Sequence, residues 1–265
     1  MRIAFPAFPP MLERLVHRSL PGHLHVAGSF MDSTQYDDDY VKALFDRMGR
    51  TYDLTNVVSS FGFSELWRWQ CVAQAPILSG QHVCDMMAGT GECWRYILRR
   101  GAARVTSIDF SHYMADRQRK RREKSGLSVT VLEENATATS LQAESVDHVV
   151  SAFGLKTLSH EALVAFVEEI RRILKPGGTF SLLEISYPQR WVLSWFYRMY
   201  LSKGIPFIGK FCLGDIDCYR MLGEYTREFG SCASVIELFR EAGLEVEMKE
   251  HFFGCATSLV GCKRA

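Results

Sequence analysis

Apolar positions along this chain follow two rhythms. Short apolar runs bounded by Gly, Pro, Asp or Asn predict strands at HVCD, RVTSID, SVTVLE, VDHVVSAFG, TFSLLEIS, VEMKEHFF and TSLVGCKR. Between them the spacing turns helical. YVKALFDRMGRTYD predicts a helix from Tyr40, and Glu92 to Arg100 predicts another. Leu163, Phe166, Val167, Ile170, Ile173 and Leu174 recur at steps of three and four, the buried stripe of a crossover helix. Trp67 and Trp69 offer an aromatic packing face. Ser111 stands where it would cap the helix after Asp109, and a Pro-Gly-Gly turn at 176–178 precedes TFSLLEIS. Ser234 and Glu237 have capping-box spacing ahead of Leu238, Phe239 and Ala242, with Gly243 as the stop.

Strands alternating with helices predict an α/β domain: a doubly wound, mainly parallel sheet with helices on both faces. Residues 40–265 are expected to form it, with residues 1–39 as an N-terminal extension broken by prolines. The first 30 residues lack the apolar core of a secretory signal, and their single acidic residue among several Arg and His leaves organellar targeting open. A helical insertion at about 187–230 begins with an aromatic stretch, YPQRWVLSWFYRMYLSKGIPFIGKF, interrupted by Arg198, Lys203, Gly204, Pro206 and Lys210. Those interruptions rule out a bilayer span there and fit a lid over an apolar acceptor, a membrane-facing patch or core packing. The chain therefore reads as intracellular, either cytoplasmic or peripheral to a membrane.

Composition narrows the classes further. With 265 residues, 47% hydrophobic and 23% charged, the chain carries enough apolar material for a core. A formal charge of +1 gives no global attraction to polyanions, so no nucleic-acid partner is expected. The basic run RQRKRREK at 117–124 reads as the solvated side of a helix. Eight Cys without a CxxC pair suit reduced thiols and predict no metal site.

The chemistry concentrates after the first strand. Asp85 ends that strand, Gly89 and Gly91 allow a tight turn with close backbone approach, and Asp109 ends the next strand 18 residues beyond Gly91. An acid there can accept hydrogen bonds from a ribose diol. The turn lacks the full GxGxxG pattern and the GxxxxGK[ST] loop, so neither a pyrophosphate nor a terminal phosphate is cradled. S-adenosylmethionine (SAM) requires the turn and the diol acceptor but no phosphate site. It is favoured over NAD and ATP.

Residues 40–265 resemble the ubiquinone and menaquinone biosynthesis C-methyltransferase family, within the class I SAM-dependent methyltransferases. The resemblance rests on YDLTNVVSSFGFSELW, DMMAGTGE, SIDFS, ENATATSL, SAFGLKTLS, RRILKPGGTFSLLEIS and GDIDCYRMLGEYTREF, in that order. It implies a seven-stranded SAM domain and methyl transfer to a reduced, apolar aromatic quinone precursor. It also implies that Tyr52 and Asn56 close over SAM and that Asp85, Gly89, Thr90 and Gly91 form the cofactor turn. Asp109 then binds the ribose, Asn135 and Ala136 approach the adenine, and Ser151 begins the fourth strand's site edge. Met86 and Met87 fill core gaps or shape the pocket, and Phe153 reads as strand core. The segment holding Asp215, Asp217 and Tyr219 is brought toward the acceptor, which makes Asp217, with Tyr219, the candidate for positioning or deprotonating it. His148 and His160 are candidates by chemistry alone. Three other readings stay open: methylation of a soluble phenol, metal-dependent transfer of a non-methyl group from SAM, and a noncatalytic SAM-binding regulator.

Overall fold

The computed structural model describes residues 36–48, 60, 62–188, 194–204 and 216–265. Among the described residues two helices, α1 (Asp38–Met48) and α2 (Phe63–Gln74), precede the first strand, β1 (His82–Met86). Then follow α3 (Trp94–Arg99), β2 (Arg104–Ile108), α4 (His112–Ser125), β3 (Val129–Leu132), β4 (Val146–Ala152), α5 (His160–Ile173) and β5 (Leu174–Ile185). The chain ends through α6 (Ser194–Met199), α7 (Ile216–Phe229), α8 (Ile236–Glu241), β6 (Leu244–His251) and β7 (Ala256–Lys263).

The seven strands lie in the order β3-β2-β1-β4-β5-β7-β6. All pairings from β3 to β5 are parallel, while β7 runs antiparallel to both β5 and β6. A parallel strand covered on both faces must be apolar on both. Alternate residues of the central strands accordingly enter two separate cores. Cys84, Met86, Val149, Phe180 and Leu182 pack with the α5 stripe and with Phe239 of α8. On the other face Val83, Val105, Val150 and Leu183 meet Trp67 and Cys71 of α2 and Trp94 and Ile97 of α3. Leu163, Phe166, Val167, Ile170 and Ile173 are all buried, as their spacing predicts.

Several local expectations change. Trp67 is buried, but Trp69 is 51% exposed, because two positions along a helix turn a side chain to the far side. The helix expected from Glu92 starts at Trp94, since the glycine turn continues through Cys93. Ser111 does cap α4, accepting from the Met114 N–H at 3.2 Å. Ser234 does not cap α8. Its hydroxyl donates back to the carbonyls of Ser231 and Phe229, and Ser231 caps the short 3-10 turn Cys232–Ser234 instead. Near the Pro-Gly-Gly turn the β4–β5 register jumps: Val146 pairs with Leu174 but His148 with Thr179. Residues 175–178 thus bulge out opposite Asp147, and Lys175 Nζ meets its carboxylate at 2.8 Å. The basic run lies on α4, where Gln118 is buried and Arg121 reaches inward to the Thr90 carbonyl at 3.2 Å. No helix among the described residues is long and apolar enough to cross a membrane.

Phe239 stacks on Phe180 with ring centroids 5.1 Å apart, joining α8 to the sheet. Phe239→Ala is expected to cost about 3–5 kcal/mol of stability, the usual toll of removing a buried ring. Urea unfolding of the variant and parent measures it.

Candidate functional site

From β1 the chain steps outward to β2 and β3, then crosses back to pair β4 on the other side of β1. Loops leaving the C-terminal ends of β1 and β4 therefore diverge to opposite faces and open a crevice. It encloses about 840 Å³ including its mouth, and is lined chiefly by residues at the ends of β1, β2, β3 and β4, with Val41 and Arg68 from the first two helices. Asp85, Gly89, Asp109, Asn135 and Ala136 all line it.

Asp85 points to the same face as Val83, beneath α2 and α3, and is buried. Neither of its carboxylate oxygens has a hydrogen-bond partner among the described residues. Burial, reinforced by the nearby Glu92 carboxylate, holds its pKa well above the ordinary carboxylate range. An uncompensated acid in a cleft is a receptor for a cation. The positive group that acts on it most, Arg68, is committed to Glu65 and Glu92, at 3.4 and 3.3 Å.

Asp109 follows β2 and ties the glycine turn to the next unit. Its Oδ2 accepts the Gly89 N–H at 2.8 Å and its Oδ1 the Ser111 N–H at 3.0 Å. Burial pushes its pKa up to about 7, opposed by those two N–H groups. Each carboxylate oxygen has two acceptor sites, so one on each remains for a diol. Gln118 and Arg121 hold the turn from α4 by bonding the carbonyls of Gly89 and Thr90. At Gly91, φ is +81° and a Cβ would stand 2.5 Å from the Trp94 indole, so glycine is needed there to seat that ring. Asp46 of α1 accepts from the Ser111 hydroxyl and the Tyr113 N–H, docking α1 over the start of α4.

Opposite this acidic floor the wall is apolar and bent. Met87, after β1, has φ +54°, and Phe153, after β4, has φ +70°; both line the cleft. Such left-handed backbones are uncommon outside glycine. The Arg68 guanidinium lies 4.9 Å from the centre of the Phe153 ring. Phe153 thus serves both core and cleft, where sequence periodicity marks only the core.

Other predicted residues fall elsewhere. Thr90 and Gly91 are part of the turn without lining the cleft, and Ser151 is buried within β4 with its hydroxyl unpartnered among the described residues. Tyr52, Asn56 and Asp215 lie outside the described residues. Asp217 and Tyr219 stand in the first turn of α7. This helix packs on α1 and on the turn Leu155–Thr157, both bordering the cleft. His148 bonds Thr179 Oγ1 and Gln81 Oε1, both at 2.7 Å, near the start of β4 and away from the cleft, while His160 opens α5. Arg68, Glu92 and Phe110 also line the site and were not singled out by sequence; only the paired charges at Arg68 and Glu92 hint at them.

Residues 33–263 match the model of the ubiE/COQ5 methyltransferase family. The chain is 31% identical to the demethylmenaquinone methyltransferase of Lactiplantibacillus plantarum, across 85% of this chain and 96% of that protein. It is 30% identical to the ubiquinone/menaquinone biosynthesis C-methyltransferase UbiE of Paracoccus denitrificans, across 84% and 90%. Among solved structures, the methyltransferase bound to the Trm112 activator of Haloferax volcanii superposes with a TM-score of 0.60 at 22% identity, covering 83% of this chain and 98% of that one. That likeness is one of fold.

The raised pKa of Asp109 has a stability consequence. A carboxyl whose folded pKa exceeds its unfolded value favours the folded state below the unfolded pKa, and the advantage is lost as pH rises through about 7. Between pH 5.5 and 8 this one group should cost about 2 kcal/mol. Asp109→Asn is expected to remove that share of the decline, measured by urea unfolding at the two pH values.

Proposed function

Because the chain belongs to the ubiE/COQ5 methyltransferase family, we propose that it moves a methyl group from SAM to a ring carbon of a reduced, demethylated quinone precursor. The observation that carries the donor site is the buried, unpartnered Asp85 carboxylate in a cleft that also holds Asp109. One acid suits the ammonium of the donor's amino-acid end and the other its ribose diol. When bound, SAM supplies an electrophilic sulfonium methyl. The chain's own part is to hold and exclude. Gly89, Thr90 and Gly91 shape the turn, Asn135 and Ala136 border the adenine end, and Ser151 backs the fourth strand. The segment bearing Tyr52 and Asn56 closes over the donor.

A ring carbon becomes nucleophilic when an adjacent hydroxyl loses its proton, and the carbon's own proton leaves after transfer. In this proposal Asp217 takes the hydroxyl proton and Tyr219 orients the same oxygen. The reduced, hydroxylated ring is required because the oxidised quinone is electron-poor. The names of the relatives from Lactiplantibacillus plantarum and Paracoccus denitrificans support this acceptor class.

An apolar acceptor is delivered by a membrane, and the fold exposes a surface suited to one. Trp195 is 62% and Phe253 65% exposed, with Phe196 and Phe252 beside them in sequence. The Tyr197 hydroxyl donates to the Cys255 carbonyl at 3.2 Å, which sets α6 next to the β6–β7 hairpin tip. We assign the contact with the bilayer to these rings.

Incubation with SAM and a reduced short-chain demethylmenaquinone, followed by product mass, tests the acceptor. Methylation of soluble phenols alone would displace the quinol reading, and SAM binding without any product would favour a regulator. Asp109→Ala should weaken SAM binding roughly 30-fold, losing two hydrogen bonds of about 1 kcal/mol each, as read by calorimetry. Asp217→Asn should leave SAM affinity near the parent's while lowering turnover. The pair Phe252→Glu/Phe253→Glu should reduce co-sedimentation with phospholipid vesicles by about tenfold or more and spare SAM binding.

A further inference from the structure

The strand order gives the donor a direction. In the proposed orientation the adenine lies toward β3, the ribose at β2 and the ammonium at β1, so the sulfonium that joins the last two lies between the ends of β2 and β1 and its methyl group can face the β4 side of the cleft. There the wall is Phe153. Its left-handed backbone is rare for a bulky side chain and must be held by its surroundings.

The hold is visible. The Phe153 N–H donates to the Leu183 carbonyl of β5 at 2.8 Å, and the Phe153 carbonyl accepts from Lys156 Nζ at 2.7 Å. Lys156 Nζ also meets Glu184 Oε1 at 2.8 Å, while its own N–H donates to Glu184 Oε2 at 3.1 Å. The Ile185 N–H adds a third bond to that carboxylate at 2.7 Å. Glu184 is fully buried and the Lys156 side chain only 5% exposed. Gly154 completes the arrangement: a Cβ there would lie 2.7 Å from the Met87 sulfur, so the two bent segments touch without room to spare.

A buried ion pair is a poor source of net stability, since apolar residues of the same volume often do as well or better. What it provides is geometry, because both partners are satisfied in one arrangement only. Lys156 does not line the cleft; it reaches the site through the Phe153 carbonyl.

We infer that the Lys156–Glu184 pair is a positioning device that fixes Phe153 against the methyl-bearing end of the bound donor, and so sets the line of transfer. The inference rests on the donor orientation proposed above. Glu184 anchors the turn to β5, Lys156 transmits the anchor to the Phe153 carbonyl, and the Phe153 ring bounds the space the methyl crosses.

The test is the proton resonance of the methyl group in methyl-13C-labelled SAM bound to the full chain, a reading independent of the acceptor. In the parent the Phe153 ring should displace this line from its free position, and Phe153→Leu should return it. Lys156→Met and Glu184→Gln should move it the same way with SAM affinity changed less than about threefold, and Lys156→Arg should keep it near the parent's. With the quinol acceptor, kcat should fall at least tenfold in Lys156→Met while the KM for SAM holds. The double variant Lys156→Met/Glu184→Met keeps the test sharp if the single change unfolds the protein: thermal stability should recover but neither the line nor kcat. If Phe153→Leu moves the line while the Lys156 and Glu184 variants do not, the positioning role is overturned and the donor orientation stands. If Phe153→Leu leaves the line in place, the orientation is wrong and the inference falls with it. Recovery of kcat in the double variant would reduce the pair to structural support.

Discussion

The site is organised by one electrostatic constraint: a carboxylate buried at the head of the sheet with no hydrogen-bond partner among the described residues. Asp85 is buried at the cleft, and Arg68 is drawn off by Glu65 and Glu92. Without a ligand the cheapest state of such a group is the protonated one. A cationic amino-acid end entering the cleft changes that balance, so donor binding and the ionisation of the cleft are linked. Asp109, poised at about pH 7, belongs to the same linkage.

Holding acids this close requires a rigid frame. The glycine turn makes few bonds within itself and many to the unit that follows. Asp109, Gln118 and Arg121 bond its N–H and carbonyl groups from β2's end and α4. The turn is therefore set by the packing of two consecutive strand–helix units. On the far wall the same principle appears in apolar form, where Phe153 is kept in a left-handed conformation by bonds to β5 and to Lys156 in the turn after β4, and Met87 packs against Gly154. One side of the cleft is organised by charge and the other by backbone geometry. This division suits a reaction in which a charged donor is gripped at its ends while its methyl group faces an apolar ring.

The long periodic elements were legible in the sequence because their signals are local. The α5 stripe repeats every three or four residues, and β1 and β2 are short apolar runs that finish within one residue of Asp85 and Asp109. Those two acids and the glycine turn were found for the same reason. Where a local signal had a competitor the outcome differed. Ser234 had the spacing of a cap, yet Ser231 sits nearer the turn that forms and takes the role. Trp67 and Trp69 look alike in sequence and diverge by burial, since only one side of α2 meets the sheet.

By itself the sequence determined the strand–helix alternation, the family and the identity of the acids at the strand ends, because each depends on residue type and spacing along the chain. Tertiary structure alone decided that β1 and β4 are neighbours, that β7 enters antiparallel, and that Glu184, 28 positions beyond Lys156, closes on it. It also decided that Arg68 is spent on Glu92 and leaves Asp85 without a partner among the described residues. The physical reason is common to all four. Pairing and charge compensation depend on which groups share a low-dielectric space, and that is settled only when distant segments pack together.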